Sequence, residues 1–328
     1  MSDAERPAVL GLRAERERRL EGKLQRELGA TLAGLLADEE VVEVMRNEDG
    51  RMWVDRLGSG LAPAGFEVSP ETAENLLGTV AALLGTVVNE AHPILEGELP
   101  YYGARFEGVL PPVSRGPVFA IRKRAALVYT LDQYVAQGQL TPRHHAALIA
   151  AIEREESLVV CGGTGSGKTT LLNALLAEKV RRGDPHQRIV ILEDTVELQC
   201  TAANTVQLRT SAEADLQRLV RATMRLRPDT IVIGEVRGRE ALDLLKAWNT
   251  GHRGGLSSVH ANGARAALSR LDQLVQEAGV PTQPRLLAEA IDWIVGMSRI
   301  GGDRRVTELV RIEGVAASGD FELTGIEP

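Results

Sequence analysis

The stretch between residues 158 and 180 constrains the fold of this chain more than any other. The apolar run Leu158-Val159-Val160 leads into Gly162-Gly163-Thr164-Gly165-Ser166-Gly167-Lys168-Thr169, and a helical pattern follows from Thr170 to Val180. Glycines let backbone N–H groups converge on phosphates without a clash from Cβ, and a helix N-terminus adds positive dipole. Glycine-rich turns also arise by chance, but the strand before and the helix after are the context that this motif requires. The stretch therefore predicts a phosphate-binding loop in an α/β domain.

The residues of this loop have separate predicted roles. Lys168 is expected to bridge the β- and γ-phosphates of ATP, and the Thr169 hydroxyl is expected to ligate Mg²⁺. The residues predicted to bind the nucleotide are Gly162, Gly163, Thr164, Gly165, Ser166, Gly167, Lys168, Thr169 and Thr170.

Two further apolar runs end in acidic residues. Residues 230–233 lead to Gly234-Glu235, so Glu235 is predicted to act on Mg²⁺ directly or through a water molecule. Residues 189–192 lead to Glu193, with Glu197 four positions later. A carboxylate near the γ-phosphate can orient the attacking water, and Glu193 is the first candidate for this role and Glu197 the second. An acid-rich turn exposed to solvent is the structural alternative.

A fourth candidate is His260, in the segment Ser257-Ser258-Val259-His260-Ala261-Asn262. A single histidine is often a structural hydrogen-bonding residue. The glycines and small residues around it are equally typical of a loop beside a ligand, so both interpretations stay open.

The hydropathy pattern changes along the chain. Leu20, Leu24, Leu28, Leu32 and Leu36 form one stripe of a predicted helix. After it come a hairpin with an Asp49-Gly50 turn, a helix from Ser69 to about Glu90 and short strands at residues 104–109 and 117–122. From Thr141, short β-branched runs alternate with helices, which favours a mainly parallel sheet. The prediction is an α+β domain at residues 1–130, a linker at 131–142 and an α/β domain at 143–328.

Composition excludes several classes of protein. The net charge is −7 and aromatic residues make up 3% of the 328 residues, which disfavours a basic groove that stacks bases. Two cysteines without a C-x-x-C pair exclude a disulfide scaffold and a cysteine-based zinc site. The first residues do not form a secretory signal, and no apolar stretch reaches the roughly 20 residues of a spanning helix. We therefore expect a cytoplasmic protein, with docking on a membrane complex left open.

The four motifs, in this order, resemble the secretion ATPase superfamily, in which a Walker A loop is followed by an Asp box, a Walker B motif and a His box. The resemblance is closest to the type IV secretion and conjugal-transfer ATPases of the TrbB type. It is carried by Leu226-Arg227-Pro228-Asp229, Gly234-Glu235-Val236-Arg237-Gly238, Thr250-Gly251-His252 and Val259-His260-Ala261-Asn262, and more loosely by Gly103-Ala104-Arg105-Phe106 and Phe119-Ala120-Ile121-Arg122-Lys123-Arg124.

The resemblance implies a RecA-like C-terminal motor domain joined to a PAS-like N-terminal domain. It implies ATP hydrolysis that powers pilus assembly or substrate export, a ring of six subunits, and docking on secretion machinery at the cytoplasmic face of the inner membrane. It assigns catalytic roles to Glu193, Glu235 and His260. It also implies that Arg105 and one of Arg122 and Arg124 reach the phosphates.

Four alternative functions remain at this point. One is a nucleotide-binding structural subunit that hydrolyses nothing, which Lys168, Glu193 and Glu235 together disfavour. A type II secretion or type IV pilus motor often has a tetracysteine element, which two cysteines cannot supply. A nucleic-acid-stimulated RecA-like ATPase is disfavoured by the charge, and we expect no sequence-specific nucleic-acid binding. A GTPase needs an Asn-Lys-x-Asp motif, which the sequence lacks.

Overall fold

The computed structural model describes residues 5–124, 128–211, 213–301 and 303–327, with side chains from residue 15. Its contacts divide the chain into two compact units, Met1–Ala126 and Leu127–Pro328. The first unit is built on an antiparallel sheet of six strands in the order β3-β2-β1-β6-β5-β4. These strands are β1 (Val41–Arg46), β2 (Arg51–Arg56), β3 (Gly60–Glu67), β4 (Ile94–Leu99), β5 (Ala104–Val109) and β6 (Val118–Arg122).

Two helices complete the first unit, α1 (Glu5–Ala37) and α2 (Pro70–Leu84). The predicted leucine stripe is confirmed, since Leu24, Leu28, Leu32 and Leu36 are buried in the core of this unit. Helix α2 begins where Ser69 Oγ accepts a hydrogen bond from Thr72 N at 3.1 Å. The prediction that it continues to about Glu90 was wrong. It ends at Leu84 because Gly85 adopts the left-handed conformation, with φ 73°.

The second unit is built on a sheet of eight strands in the order β14-β13-β12-β7-β11-β10-β8-β9. The strands are β7 (Leu158–Gly162), β8 (Ile189–Glu193), β9 (Thr205–Arg209), β10 (Thr230–Ile233), β11 (Leu256–His260), β12 (Trp293–Ile300), β13 (Asp303–Val315) and β14 (Phe321–Gly325). The pairs from β12 through β9 are parallel, and β13 and β14 extend the sheet in antiparallel fashion. The predicted, mainly parallel sheet is confirmed.

Helices cover both faces of this sheet. They are α3 (Leu131–Ala136), α4 (Pro142–Glu153), α5 (Lys168–Arg182), α6 (Leu216–Thr223), α7 (Glu240–Asn249), α8 (Ala264–Gln276) and α9 (Pro284–Ala290). The core on one face includes residues of α3, α4 and α5, and the core on the other includes residues of α6 to α9. Burial on both faces explains why β7, β8 and β10 are apolar without alternation. Within the described part of the chain, no helix has both the length and the apolar composition to span a bilayer.

Residues 131–142, predicted as a linker, contain α3 and the start of α4. Leu131, Tyr134 and Leu140 are buried in the core of the second unit. Thr130 and Gln133 form a capping box, which starts a helix that the polar composition of the segment concealed. The linker prediction was therefore wrong, because a six-residue helix shows too few turns to reveal its apolar face.

Candidate functional site

The four sequence motifs of the second unit meet at one edge of its sheet. Strands β7, β8, β10 and β11 are parallel, so their carboxyl ends lie on the same side. Gly162 ends β7 opposite His260, which ends β11, and Glu193 ends β8. Glu235 follows β10 by two residues. Open α/β sheets bind ligands at this edge, and the predicted residues converge there.

The loop between β7 and α5 needs glycine at defined positions. A Cβ at Gly162 would lie 2.4 Å from the carbonyl oxygen of Met297, on the neighbouring strand β12. Gly165 and Gly167 have φ angles of 69° and 96°, in the left-handed region that favours glycine. The loop therefore has a backbone path that few other sequences would permit.

Lys168 is the first residue of α5, and Thr169 and Thr170 follow in its first turn. The Lys168 ammonium group donates hydrogen bonds to the carbonyl oxygens of Gly162 at 3.0 Å and Gly163 at 3.1 Å. The side chain of Lys168 thus folds back across the glycine-rich loop. Backbone N–H groups of this loop and the N-terminus of α5 favour the binding of an anion.

Glu193 is buried, with 3% of its surface exposed, and its oxygens already have protein partners. Oε1 accepts hydrogen bonds from the N–H groups of Glu197 and Leu198, both at 2.8 Å. Oε2 accepts from Gln207 Nε2 at 2.7 Å. Burial raises the pKa of Glu193, and these donors oppose that rise. The geometry makes Glu193 the residue that shapes the turn after β8.

The same turn is attached to α5 through Asn173. Its side chain donates to the carbonyl oxygen of Glu197 at 3.2 Å and accepts from Gln199 N at 2.7 Å. Because Asn173 lies on the helix that starts with Lys168, the position of Glu197 is fixed relative to the loop. Within the described residues, the Glu197 carboxylate has no hydrogen bond or ion pair. Asn173 was not predicted as a site residue, because no local pattern in the sequence indicates its role.

Glu235 forms an ion pair with Arg237. The Arg237 guanidinium donates to Glu235 Oε2 from Nε at 2.9 Å and from a terminal nitrogen at 2.5 Å. Arg237 also lies 3.6 Å from Asp194, and the charge of Glu197 acts on it as well. Sequence reasoning missed this arginine, although its place two residues after Glu235 was the available signal. Arg237 thus forms ion pairs with Glu235 and Asp194, which follow two different strands, and the charge of Glu197 lies near enough to act on it.

His260 and its neighbours lie at the centre of the edge. His260 is exposed, whereas Ser258 is buried and donates a hydrogen bond to the carbonyl oxygen of Gly234 at 2.7 Å. Asn262 lies against the glycine-rich loop, since a Cβ at Gly163 would be 3.9 Å from Asn262 Oδ1. His260 is therefore available to a ligand, and Ser258 supports the Glu235 segment.

The donor set at this edge fits a nucleotide-bound magnesium ion. No group of three metal-ligating side chains occurs among the residues that the structure describes. Mg²⁺ in nucleotide sites takes only one or two protein ligands, with waters and phosphates supplying the rest. Thr169 follows β7 and Glu235 follows β10, so both lie at the carboxyl edge of the sheet, on either side of β11, and they match that requirement.

The three candidate arginines of the first unit differ in their surroundings. Arg105 and Arg122 are direct cross-strand neighbours on β5 and β6, and Glu43 pairs with Arg122 on the other side. Arg124 forms an ion pair with Glu98 at 2.8 Å. Two like charges placed directly opposite are unfavourable by themselves. Carboxylates lie near both arginines, since Glu43 is the cross-strand partner of Arg122 and Glu98 that of Arg105. The structure thus separates Arg124 from the other two.

The chain is similar to proteins of secretion and conjugal-transfer systems. The family model described as type II/IV secretion system protein matches residues 29–300. The conjugal transfer protein TrbB of Rhizobium radiobacter is 49% identical, over 90% of this chain and 91% of that protein. The type IV secretion system protein PtlH of Bordetella pertussis is 31% identical, over 86% of this chain and 93% of that protein.

Among solved structures, that of the Legionella pneumophila ATPase DotB is similar, with a TM-score of 0.58. The two chains are 18% identical, over 82% of this chain and 76% of that chain, and this likeness shows a shared mixed α/β fold. The family match includes the glycine-rich loop, the acidic strand ends and the β11 histidine, so the chain belongs to the type II/IV secretion system protein family.

Proposed function

We propose that this protein is an ATPase whose hydrolysis of ATP powers conjugative transfer or a related type IV secretion process. The observation that carries the proposal is the convergence of Lys168, Glu197 and Glu235 at one edge of a parallel sheet. Similarity to the proteins named TrbB and PtlH supports type IV secretion over the type II and pilus alternatives. In this proposal the second unit is a RecA-like motor domain and the first a PAS-like domain.

Nucleotide binding rests on the loop and the first turn of α5. Backbone N–H groups of residues 162–170 surround the phosphates, and Lys168 exchanges its two carbonyl partners for phosphate oxygens. Thr169 and Glu235 are the residues that would hold Mg²⁺, which would supply positive charge to the phosphates. His260, exposed beside Gly162, lies where a polar contact to the γ-phosphate is available.

We assign the orientation of the attacking water to Glu197. The sequence favoured Glu193, but its oxygens accept three hydrogen bonds from protein groups, and using it as a base would break the turn that it holds. Glu197 is half-buried and is positioned by Asn173 through its own backbone. The buried Glu193 thus helps to position Glu197, because it accepts a hydrogen bond from the Glu197 N–H group.

The proposed working form is a ring of six copies that acts with inner-membrane secretion machinery. This rests on the family and on the closed symmetry that suits a motor with shared sites. Arg105 and Arg122 are proposed to bring charge to the γ-phosphate in the transition state, because neither has a carboxylate within ion-pair distance among the residues that the structure describes. Arg124 is not, because Glu98 already pairs with it.

Replacing the loop lysine tests ATP hydrolysis directly. Lys168→Ala should lower the rate of phosphate release at least about 100-fold, since a preorganised charge on the phosphates is lost. Lys246→Ala, at an exposed position of α7, is the matched control and should hydrolyse ATP like the wild type. A Lys168→Ala protein that retains the wild-type rate would remove the ATPase proposal.

The two glutamates should respond differently to the change to glutamine. Glu197→Gln should keep ATP affinity and thermal stability but reduce kcat about 100-fold, as expected for loss of a general base. Glu193→Gln places an amide NH2 against N–H donors, so it should cost about 1–3 kcal/mol of folding stability. Thermal melting and steady-state kinetics measure both. If Glu193→Gln were stable and Glu197→Gln fully active, Glu193 would regain the role of base.

The arginines of the first unit provide a three-variant comparison. Arg105→Gln and Arg122→Gln should each lower kcat at least tenfold, because an arginine at the transferred phosphate contributes roughly 10³–10⁵ in rate. Arg124→Gln should have little effect on kcat, since it removes a partly buried ion pair with Glu98 that has no role at the phosphates in this proposal. The result that contradicts the assignment is a larger loss for Arg124→Gln than for the other two.

The oligomeric state has its own test. In analytical ultracentrifugation with Mg²⁺ and a non-hydrolysable ATP analogue, the full chain should sediment as a hexamer. A strictly monomeric protein at tens of micromolar under these conditions would exclude the proposed ring.

A further inference from the structure

An arginine of the C-terminal hairpin lies on the glycine-rich loop. Strands β12 and β13 form this hairpin, and β12 pairs directly with β7, so that Met297 is opposite Gly162. Arg304, near the start of β13, packs against Gly167. A Cβ at Gly167 would be 3.0 Å from Arg304 Cδ and 3.2 Å from Met297 Cε. The hairpin therefore forms part of the wall of the loop, 137 positions later in the chain.

Two other cationic groups lie near Arg304. Arg299 is its direct cross-strand partner in the hairpin. Lys168 follows Gly167 at the start of α5, whose N-terminus carries positive dipole. A like-charged cross-strand pair and a cation at a helix N-terminus are both unfavourable. The hairpin thus concentrates positive charge where a helix end already disfavours it.

Arg304 also lacks the compensation that its neighbour has. Arg305 lies 3.3 Å from Asp303, whereas no carboxylate is within ion-pair distance of Arg304 among the residues that the structure describes. Arg304 is half-buried, and its charge acts on Tyr134 of α3, a phenol whose pKa burial raises. A bound anion would stabilise a half-buried cation that has no ion pair with the protein.

We propose that Arg304 is an additional nucleotide-binding residue, which donates to the phosphates held by the backbone of the glycine-rich loop. The inference rests on the proposed function and extends it. The backbone of such a loop surrounds the α- and β-phosphates, while its lysine reaches the β- and γ-phosphates. Because Gly167 belongs to that backbone, Arg304 acts on phosphates that ADP and ATP share. It contributes to binding in the ground state and in the transition state alike.

The test compares Arg304→Gln with Arg305→Gln in the full chain. Arg304→Gln should raise the dissociation constants of both ADP and a non-hydrolysable ATP analogue about tenfold, measured by calorimetry with Mg²⁺. KM for ATP should rise by a similar factor while kcat changes less than twofold, the signature of uniform binding. Arg305→Gln should match the wild type, and Arg304→Lys should recover part of the affinity because it keeps the charge.

Thermal melting distinguishes this role from a structural one. Without nucleotide, Arg304→Gln should melt at the wild-type temperature or higher, because the repulsion from Arg299 is relieved. With saturating ADP, its gain in melting temperature should be smaller than that of the wild type. A variant that melts lower without nucleotide, or that binds ADP as tightly as Arg305→Gln, overturns the proposal.

The proposed function is tested separately, by nucleotide binding of the wild type and by the Lys168→Ala variant. If the wild type binds ATP and Lys168→Ala lowers hydrolysis, the proposed function stands whatever the result for Arg304. If the wild type binds no nucleotide, the proposed function fails and this inference fails with it.

Discussion

The buried carboxylate of Glu193 organises the edge of the sheet on which the site depends. It ends β8 and accepts hydrogen bonds from two backbone N–H groups, those of Glu197 and Leu198. These bonds fold the residues after β8 back over the carboxylate. Gly234 lies close beside it, because a Cβ there would be 3.2 Å from Glu193 Cγ. A buried carboxylate is tolerated when donors satisfy its oxygens, and here one of the donors is the N–H group of Glu197, so the same hydrogen bonds position that residue. One group thus positions Glu197 and packs beside the segment that leads to Glu235.

The second constraint is the contact between the glycine-rich loop and strand β12. Gly162 is so close to Met297 that a side chain would displace either the loop or the strand. The next strand, β13, then brings Arg304 to Gly167. The loop is consequently enclosed by α5, β11 and the C-terminal hairpin. Its conformation therefore depends on residues as distant in the chain as Met297 and Arg304.

Charge is distributed over the site in a consistent manner. Carboxylates are concentrated around Arg237 on the side of β8 and β10, whereas Arg299, Arg304 and Lys168 lie on the side of β12 and α5. A polyphosphate with a divalent cation has the complementary arrangement, with anionic oxygens facing the cations and the metal facing the acids. This separation of charge supports the proposed binding of a nucleotide.

The sequence by itself determined the parts that depend on neighbouring residues. The glycine spacing of residues 162–169, the apolar runs that end in Glu193 and Glu235, the leucine stripe of α1 and the alternation of strands and helices are all local patterns. They were sufficient for the mixed α/β fold and for the family. Helix α3 was missed because six residues contain too little periodicity.

Only the tertiary structure decided which groups meet. Glu193 accepts a hydrogen bond from Gln207 because β9, which carries Gln207, lies beside β8 in the sheet. Arg304 reaches Gly167 because β12 is placed next to β7. The surroundings of Arg122 and Arg124 also differ. Strand register places Arg105 opposite Arg122, whereas Arg124 forms an ion pair with Glu98. Strand order and register bring together residues far apart in the chain, and no local pattern in the sequence specifies such pairs.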